Sequence, residues 1–373
     1  GSGTAVATHG WAYTGNSTTA QNTMGGMYNG YGITVNGNYA YVASYSDYRI
    51  NRLVLTGTTA GKFDGWIGRV YGTPSSGVSG CAGTNSGNIT PGWCYGGYAI
   101  YGSSVGSFYT PTSVTNDGTY LYVSDVSSNR ITIHNMSTGA AVGALGLRVN
   151  NSISGWQTAT NYPNNAPNLP VNSPGNTILS NRDNIFSSPD QMVIQGNYMY
   201  ISDTGTQRIK RYNWLDGSFQ GWIGMTQTFA PTGGDANCAT SLVGGFTPGW
   251  CSGGGFTSSS TFGFSGPRGL ASDGTYLYVA DQNNHRIVRV KLSDASFSGW
   301  IGNVSTQPSD GDSGCTTATT GTATPGWCIG GTSASTGSTY LLGGFNTPEG
   351  LAGFTDVDGK FYLIVGDAGN TRL

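Results

Sequence analysis

Six cysteines carry the plainest chemistry in this sequence. They fall as Cys81 and Cys94, Cys238 and Cys251, Cys315 and Cys328, each pair 13 positions apart. Each pair ends in Thr-Pro-Gly-Trp-Cys, which places Trp93, Trp250 and Trp327 beside the second cysteine. Many pairings are open to six cysteines. The repeated spacing selects three local disulfides, each stabilising its loop by roughly 3 kcal/mol. No Cys-x-x-Cys or Cys/His spacing points to zinc. Bridges on exposed loops place the protein outside a reducing cytosol, in the extracellular space or on a cell surface. A tryptophan offers a flat apolar face on which sugars or aromatic side chains stack, and the surrounding Ser, Thr and Asn can bond hydroxyl groups. Trp93, Trp250 and Trp327 are therefore the expected ligand-binding residues. The competing reading packs each ring over its own disulfide.

A second set of candidates shares one position of an internal repeat: Tyr31, Thr112, Asp190, Arg268 and Glu349. Equivalent positions in a radial fold form a ring, here near the mouth of a central channel. Two carboxylates and an arginine there could bind a cation or polar ligand, or Arg268 could simply neutralise Asp190 or Glu349. The three histidines, His9, His134 and His285, do not fall at equivalent positions, and no Gly-x-Ser-x-Gly elbow with partners stands out. Asp356-Val-Asp358-Gly359 and Asp310-Gly-Asp312 resemble fragments of calcium loops without the full ligand series. The expectation is no metal and no cofactor, with calcium as the one open alternative. Asn88-Ile-Thr90 and Asn303-Val-Ser305 match the glycosylation pattern, which a chain rich in Asn, Ser and Thr produces by chance.

The elements that position these residues come from self-similarity. Five segments repeat one pattern, 30–68, 111–146, 189–224, 267–302 and 348–373. Each holds a short apolar strand, a turn, an aromatic β-run, an Asp, a loop, an Arg and another β-run, the last copy being incomplete after its Arg. Asp125, Asp203, Asp281 and Asp367 each precede an Arg by five positions, and Ser44 holds the Asp place before Arg49. Runs such as Tyr120-Leu-Tyr-Val-Ser, bounded by Asp-Gly or Gly-Asn turns, read as strands. Gly-Trp-Ile-Gly closes three copies, at Trp66, Trp222 and Trp300. Each copy thus encodes a four-stranded antiparallel sheet. Such sheets cover one another's faces when arranged radially as a β-propeller.

Asp281-Gln-Asn-Asn284-His-Arg286 and Asp367-Ala-Gly-Asn370-Thr-Arg372, with the preceding Pro267-Arg-Gly-Leu270 and Pro348-Glu-Gly-Leu351, resemble the NHL-repeat family of β-propellers. Thr206, Ser128 and Asp47 depart from the motif at its Asn place. The resemblance implies a structural tie between Asp and Arg. It also implies blades closed by first and last strands, here with Thr8-His-Gly10-Trp11-Ala-Tyr13 completing the last repeat. Five blades are expected, with six as the alternative, in a single domain. Related enzymes, the propeller lactonases and peptidyl amidating lyases, make a metal-dependent hydrolase or lyase at the channel the alternative function. About 40 residues per period lie outside the blade, and these long connections are expected to gather on one face with the Asp-x4-Arg loops. Long loops on a rigid scaffold usually carry function. The connection 148–188 has no Cys and uses Pro163, Pro167, Pro170 and Pro174 instead.

Composition closes off other classes. The chain has 373 residues, 62 of them Gly, with 9% charged residues and a net charge of −2. The usual shares are roughly 7% Gly and roughly 25% charged. Sixteen Lys and Arg give no basic footprint for nucleic acid. No apolar run is long enough for a membrane helix, and 12% aromatic residues do not fit a disordered chain. Gly1-Ser2-Gly3 reads as an expression scar on a piece of a longer chain, with no signal peptide visible. The composition is similar to that of adhesins and fibre tips. The expectation is an adhesin-like recognition module, not an enzyme, that binds a glycan or surface protein. A structural scaffold is the third possibility.

Overall fold

The computed structural model describes residues 27, 29–146, 155–158, 183, 185–226, 230–254, 263–335 and 342–373. Residues 8–13, expected to complete the last repeat, His9 and the prolines of 148–188 lie outside them. The described residues hold no α-helix. They form all-β blades of the propeller type, built from consecutive antiparallel strands. Four blades have four strands. The first comprises Gly30–Asn36, Tyr39–Ser44, Arg49–Val54 and Phe63–Gly72. The second opens with Pro111–Asn116, the third with Pro189–Gln195 and the fourth with Pro267–Ser272. The last repeat shows two strands, Pro348–Thr355 and Phe361–Asp367. The chain divides into two compact units, one of Gly1–Arg148 with Trp156–Asn168, the other of Val149–Gly155 with Leu169–Leu373.

Within each unit the blades pack face to face. In the first unit Tyr41, Ile50, Ile67 and Trp93 meet Phe108, Val114, Leu121 and Met136. In the second, Tyr200, Ile209 and Trp250 meet Leu270, Val279 and Val288, while Tyr278 and Ile287 meet Leu351 of the last repeat. The second strand of each of the four blades is buried on both faces, and apolar side chains fill both. The innermost strands approach so closely that a Cβ on Gly32 would sit 2.6 Å from Ser113 Cα, and one on Gly269 2.5 Å from Glu349 O. Only glycine allows that spacing.

The Asp-x4-Arg pairs lock the blades internally. Each pair faces itself across a hairpin, as in Asp125 opposite Arg130 and Asp281 opposite Arg286. Their side chains meet at 3.2 and 2.8 Å, and Arg372 meets Asp367 at 3.0 Å. The carboxylate's other oxygen accepts backbone N–H groups from the incoming connection: Thr110 for Asp125, Ser265 for Asp281, Asn346 for Asp367. Arg130 and Arg286 also donate to carbonyls of that connection, Ser107 and Gly263. This satisfaction of buried backbone groups is the structural tie that the motif implied.

Two blades reach it differently. In the first, Asp47 stands in for an Asp at position 44: it receives the Ser44 hydroxyl at 2.6 Å and lies 3.9 Å from Arg49. In the third, Lys210 takes Asp203 at 2.9 Å and Arg208 lies over the Trp222 ring at 3.5 Å.

Candidate functional site

All three disulfides form as the spacing requires, with Cα separations of 5.5, 5.4 and 5.4 Å. Their loops do not stand free of the blades. The second cysteine pairs with the tryptophan of Gly-Trp-Ile-Gly, Trp66 with Cys94, Trp222 with Cys251 and Trp300 with Cys328. Each loop therefore extends its own blade outward, because a long connection must find partners for its backbone groups and the open outer edge supplies them. The ring beside the bridge is the blade tryptophan: Trp222 packs with Cys238 and Cys251. Its indole N–H donates to Gly253 O at 3.0 Å, as Trp66 donates to Gly96 O and Trp300 to Gly330 O.

The loop tryptophans turn inward, toward the blades. Trp93 and Trp250 are each only 1% exposed. Arg52 lies between Tyr39 and Trp93, 4.9 and 4.5 Å from their ring centroids. Arg211 lies likewise between Tyr198 and Trp250, and Arg289 between Tyr276 and Trp327. The Trp93 N–H donates to Met136 O on the adjoining blade at 2.9 Å. Each guanidinium covers one face of its tryptophan, and the burial of Trp93 and Trp250 leaves almost nothing of their rings to solvent. Trp327 keeps partial exposure, but its ring is occupied by Arg289 and packs 5.5 Å from Tyr278. The second blade has Ile133 opposite Tyr122, where the others have Arg, and Trp156 fills the loop-tryptophan place 5.5 Å from the Tyr122 ring. Gly155-Trp156 was the sequence signal for it.

The proposed channel residues divide between the units. In the first, Tyr31 is 57% exposed and rests 5.1 Å from the Tyr45 ring, while Thr112 is buried with its hydroxyl 3.0 Å from Ser124 Oγ. In the second, Arg268 binds Asp190 at 3.2 Å and donates to Gln282 at 2.8 Å, and Gln282 donates to Glu349 at 2.7 Å. Among the described residues no three His, Cys, Asp or Glu side chains gather as a metal site. Asp356 caps its own turn by accepting from Asp358 and Lys360 N–H groups. Asp312 accepts the Trp327 N–H at 2.8 Å, just as Asp235 accepts that of Trp250. Burial pushes His134 down to about 4. It also lowers His285, whose Nδ1 accepts the Thr347 N–H at 3.0 Å.

The feature that sequence reading missed is a cleft of about 260 Å³ in the first unit. The Asp-motif loop contributes Ser46, Asp47 and Tyr48, and the hairpin from the long connection contributes Tyr71, Tyr98 and Tyr101. Ala99 and Ile100 complete the lining. Tyr98–Ile100 pairs with the extended end of Phe63–Gly72, opposing Arg69 to Ile100 and Gly72 to Tyr98. Tyr48 sits in the left-handed region at φ 57°, a position that also displays Asn129, Gln207, His285 and Thr371 in the other repeats. A left-handed backbone at a non-glycine residue is uncommon, and here the loop imposes it each time. Tyr71 is 52% and Tyr101 48% exposed. Tyr101 packs edge-on to Tyr48 and leads on to Tyr109, 5.0 Å away. The only signal in the sequence was tyrosine density around 95–109.

A family model described as the LVIVD repeat matches residues 30–48 and 268–306. No curated protein sequence matches this one. Among solved structures, the chain is similar to a putative 6-phosphogluconolactonase of Bacteroides fragilis NCTC 9343, at 14% identity and TM-score 0.36, covering 91% of this chain and 78% of that one. It is similar to an auxiliary nutrient binding protein of Bacteroides thetaiotaomicron VPI-5482, at 12% identity and TM-score 0.37, covering 93% and 68%. The chain spans only 50% and 52% of two others that it resembles, U3-55K and the RRP9 WD40 repeats, with TM-scores of 0.33 and 0.34. The TM-scores are low throughout, and no ligand or activity is transferred from them.

Proposed function

We propose that this chain is an extracellular or cell-surface recognition module that binds a glycan on the tyrosine side of its first unit. The observation that carries the reading is the cleft between Tyr48, Tyr71, Tyr98 and Tyr101, with half-exposed rings on a frame locked by disulfide and ion pair. Tyrosine combines an apolar face with a polar tip and loses little entropy on binding. The three disulfides support an oxidising location. The Asp-x-x-Asn-x-Arg loops support keeping the repeats with the NHL propellers. The reading assigns the chain no chemistry.

A glycan-array screen of the oxidised protein, beside Tyr71→Ala and Tyr101→Ala, tests it. Binding that both variants lose is expected. No binding to any glycan, with capture of a surface protein that is still lost in these variants, would move the ligand to a protein. Binding unaffected by either variant would remove the site.

A further inference from the structure

The rings of the cleft do not form a platform. Tyr48 stands at 71° to Tyr101, Tyr71 at 44° to Tyr98, and Tyr101 at 50° to Tyr109. Rings at such angles present their faces in different directions and enclose a volume instead of stacking on one flat ligand. The lining carries little net charge. Asp47 is the single acid among the lining residues, and no Lys or Arg lines the cleft. Two arginines lie close by, and both are held by partners, Arg49 by the lining acid itself. Arg49 is 3.9 Å from the Asp47 carboxylate and buried with it. Arg69 donates to Gly87 O and Tyr101 O.

Aromatic faces carry negative quadrupole potential and attract a cation, most strongly one that is weakly hydrated. An ammonium bearing hydrogens would need acceptors to replace its water. A fully methylated one has no N–H to satisfy and can be wrapped by rings and by apolar Ala99 and Ile100. An anion would meet the negative ring faces. The volume of about 260 Å³ leaves room for a short attached chain.

We propose that this cleft is an aromatic cage for a quaternary ammonium group carried by the surface ligand. The proposal rests on the recognition reading above and names the group that reading leaves open. The group could be a glycan substituent or a lipid headgroup, and the chemistry in the cleft is the same.

The test titrates the oxidised protein with choline, tetramethylammonium and the uncharged isostere 3,3-dimethylbutan-1-ol, following binding by calorimetry and by tyrosine chemical shifts. Choline should bind at least about tenfold more tightly than the isostere, which shares its shape but not its charge. Tyr101→Ala and Tyr71→Ala should each weaken choline by about tenfold, and Tyr101→Phe should stay within about threefold, because the ring is retained. Circular dichroism confirms that each variant folds, and both positions are half exposed. Equal binding of choline and the isostere would overturn the cage, as would no tyrosine-dependent binding at about 50 mM choline.

Two further arms separate the sources: a choline-substituted polysaccharide and phosphatidylcholine vesicles. Capture of the polysaccharide supports cage and glycan reading together. Choline selectivity with capture of vesicles alone keeps the cage and overturns the glycan. Tyrosine-dependent glycan binding without choline selectivity keeps the module and overturns the cage.

Discussion

The first and fourth blades carry the same outer hairpin with opposite surface chemistry. In the first, Arg69, Val70 and Gly72 pair with Ile100, Ala99 and Tyr98. In the fourth, Asn303, Val304 and Thr306 pair with Ala334, Ser333 and Thr332 in the same register. Tyr71, Tyr98 and Tyr101 thus correspond to Ser305, Thr332 and Ser335. The tyrosines line a cleft. The hydroxyl residues bond to each other and to the frame, Thr306 with Thr332 at 2.8 Å and Ser335 with Asn346 at 2.9 Å. The left-handed loop position differs in the same way. His285 accepts the Thr347 N–H and Gln207 the Gly266 N–H, each at the entry to the following blade, whereas Tyr48 packs on Tyr101. One frame therefore serves two ends: tying one blade to the next in one place and displaying aromatic surface in another.

If the frame is shared, damage to it should cost both units alike. Arg130→Ala and Arg286→Ala each leave a buried aspartate without its cation, so each should lose about 3–5 kcal/mol in urea unfolding. A large loss in only one unit would break the equivalence. Removing a bridge should cost about 3 kcal/mol in either place. Cys81→Ser with Cys94→Ser should also weaken ligand binding, since the same connection carries Tyr98 and Tyr101. Cys315→Ser with Cys328→Ser should leave binding intact, and equal loss from both would argue against a cleft confined to the first unit.

His134 sharpens the comparison from a different side. It is fully buried and held at about 4, below its ordinary 6.5. The folded state binds its proton less readily than the unfolded chain does. Its contribution is therefore fully present above about pH 6.5 and is lost as pH falls toward about 4, about 3 kcal/mol in all at 1.36 kcal/mol per pKa step. His134→Leu should flatten the pH dependence of stability across that window. His285, half buried, should have a smaller effect.

The smallest change in stability carries the most functional information. Tyr71→Ser, which makes the first blade resemble the fourth, should shift stability by no more than about 0.5 kcal/mol. It should nonetheless weaken ligand binding by about tenfold. A stability loss several times larger would recast Tyr71 as a packing residue.

The repeat pattern made most of the frame legible. Asp-x4-Arg, the Tyr-x-Tyr runs and the cysteine spacing each map onto a hairpin register or bridge seen in the structure. The cleft was not legible, because its two walls come from separate segments. Tyr48 and Tyr101 are 53 positions apart and belong to no common motif. The orientation of the loop tryptophans was not legible for a related reason. Their motif marks them as equivalent but does not say which way the rings point, and Arg52, Arg211 and Arg289 draw them inward.

The sequence by itself determined the strands, the blades they form and the bridges that tie their loops. These depend on alternation, turn residues and short spacing, which are local properties of the chain. Only the tertiary structure decided which aromatic rings are spent on packing and which face solvent. That outcome depends on whether a distant guanidinium or backbone carbonyl reaches the ring first, and no local pattern records such an encounter.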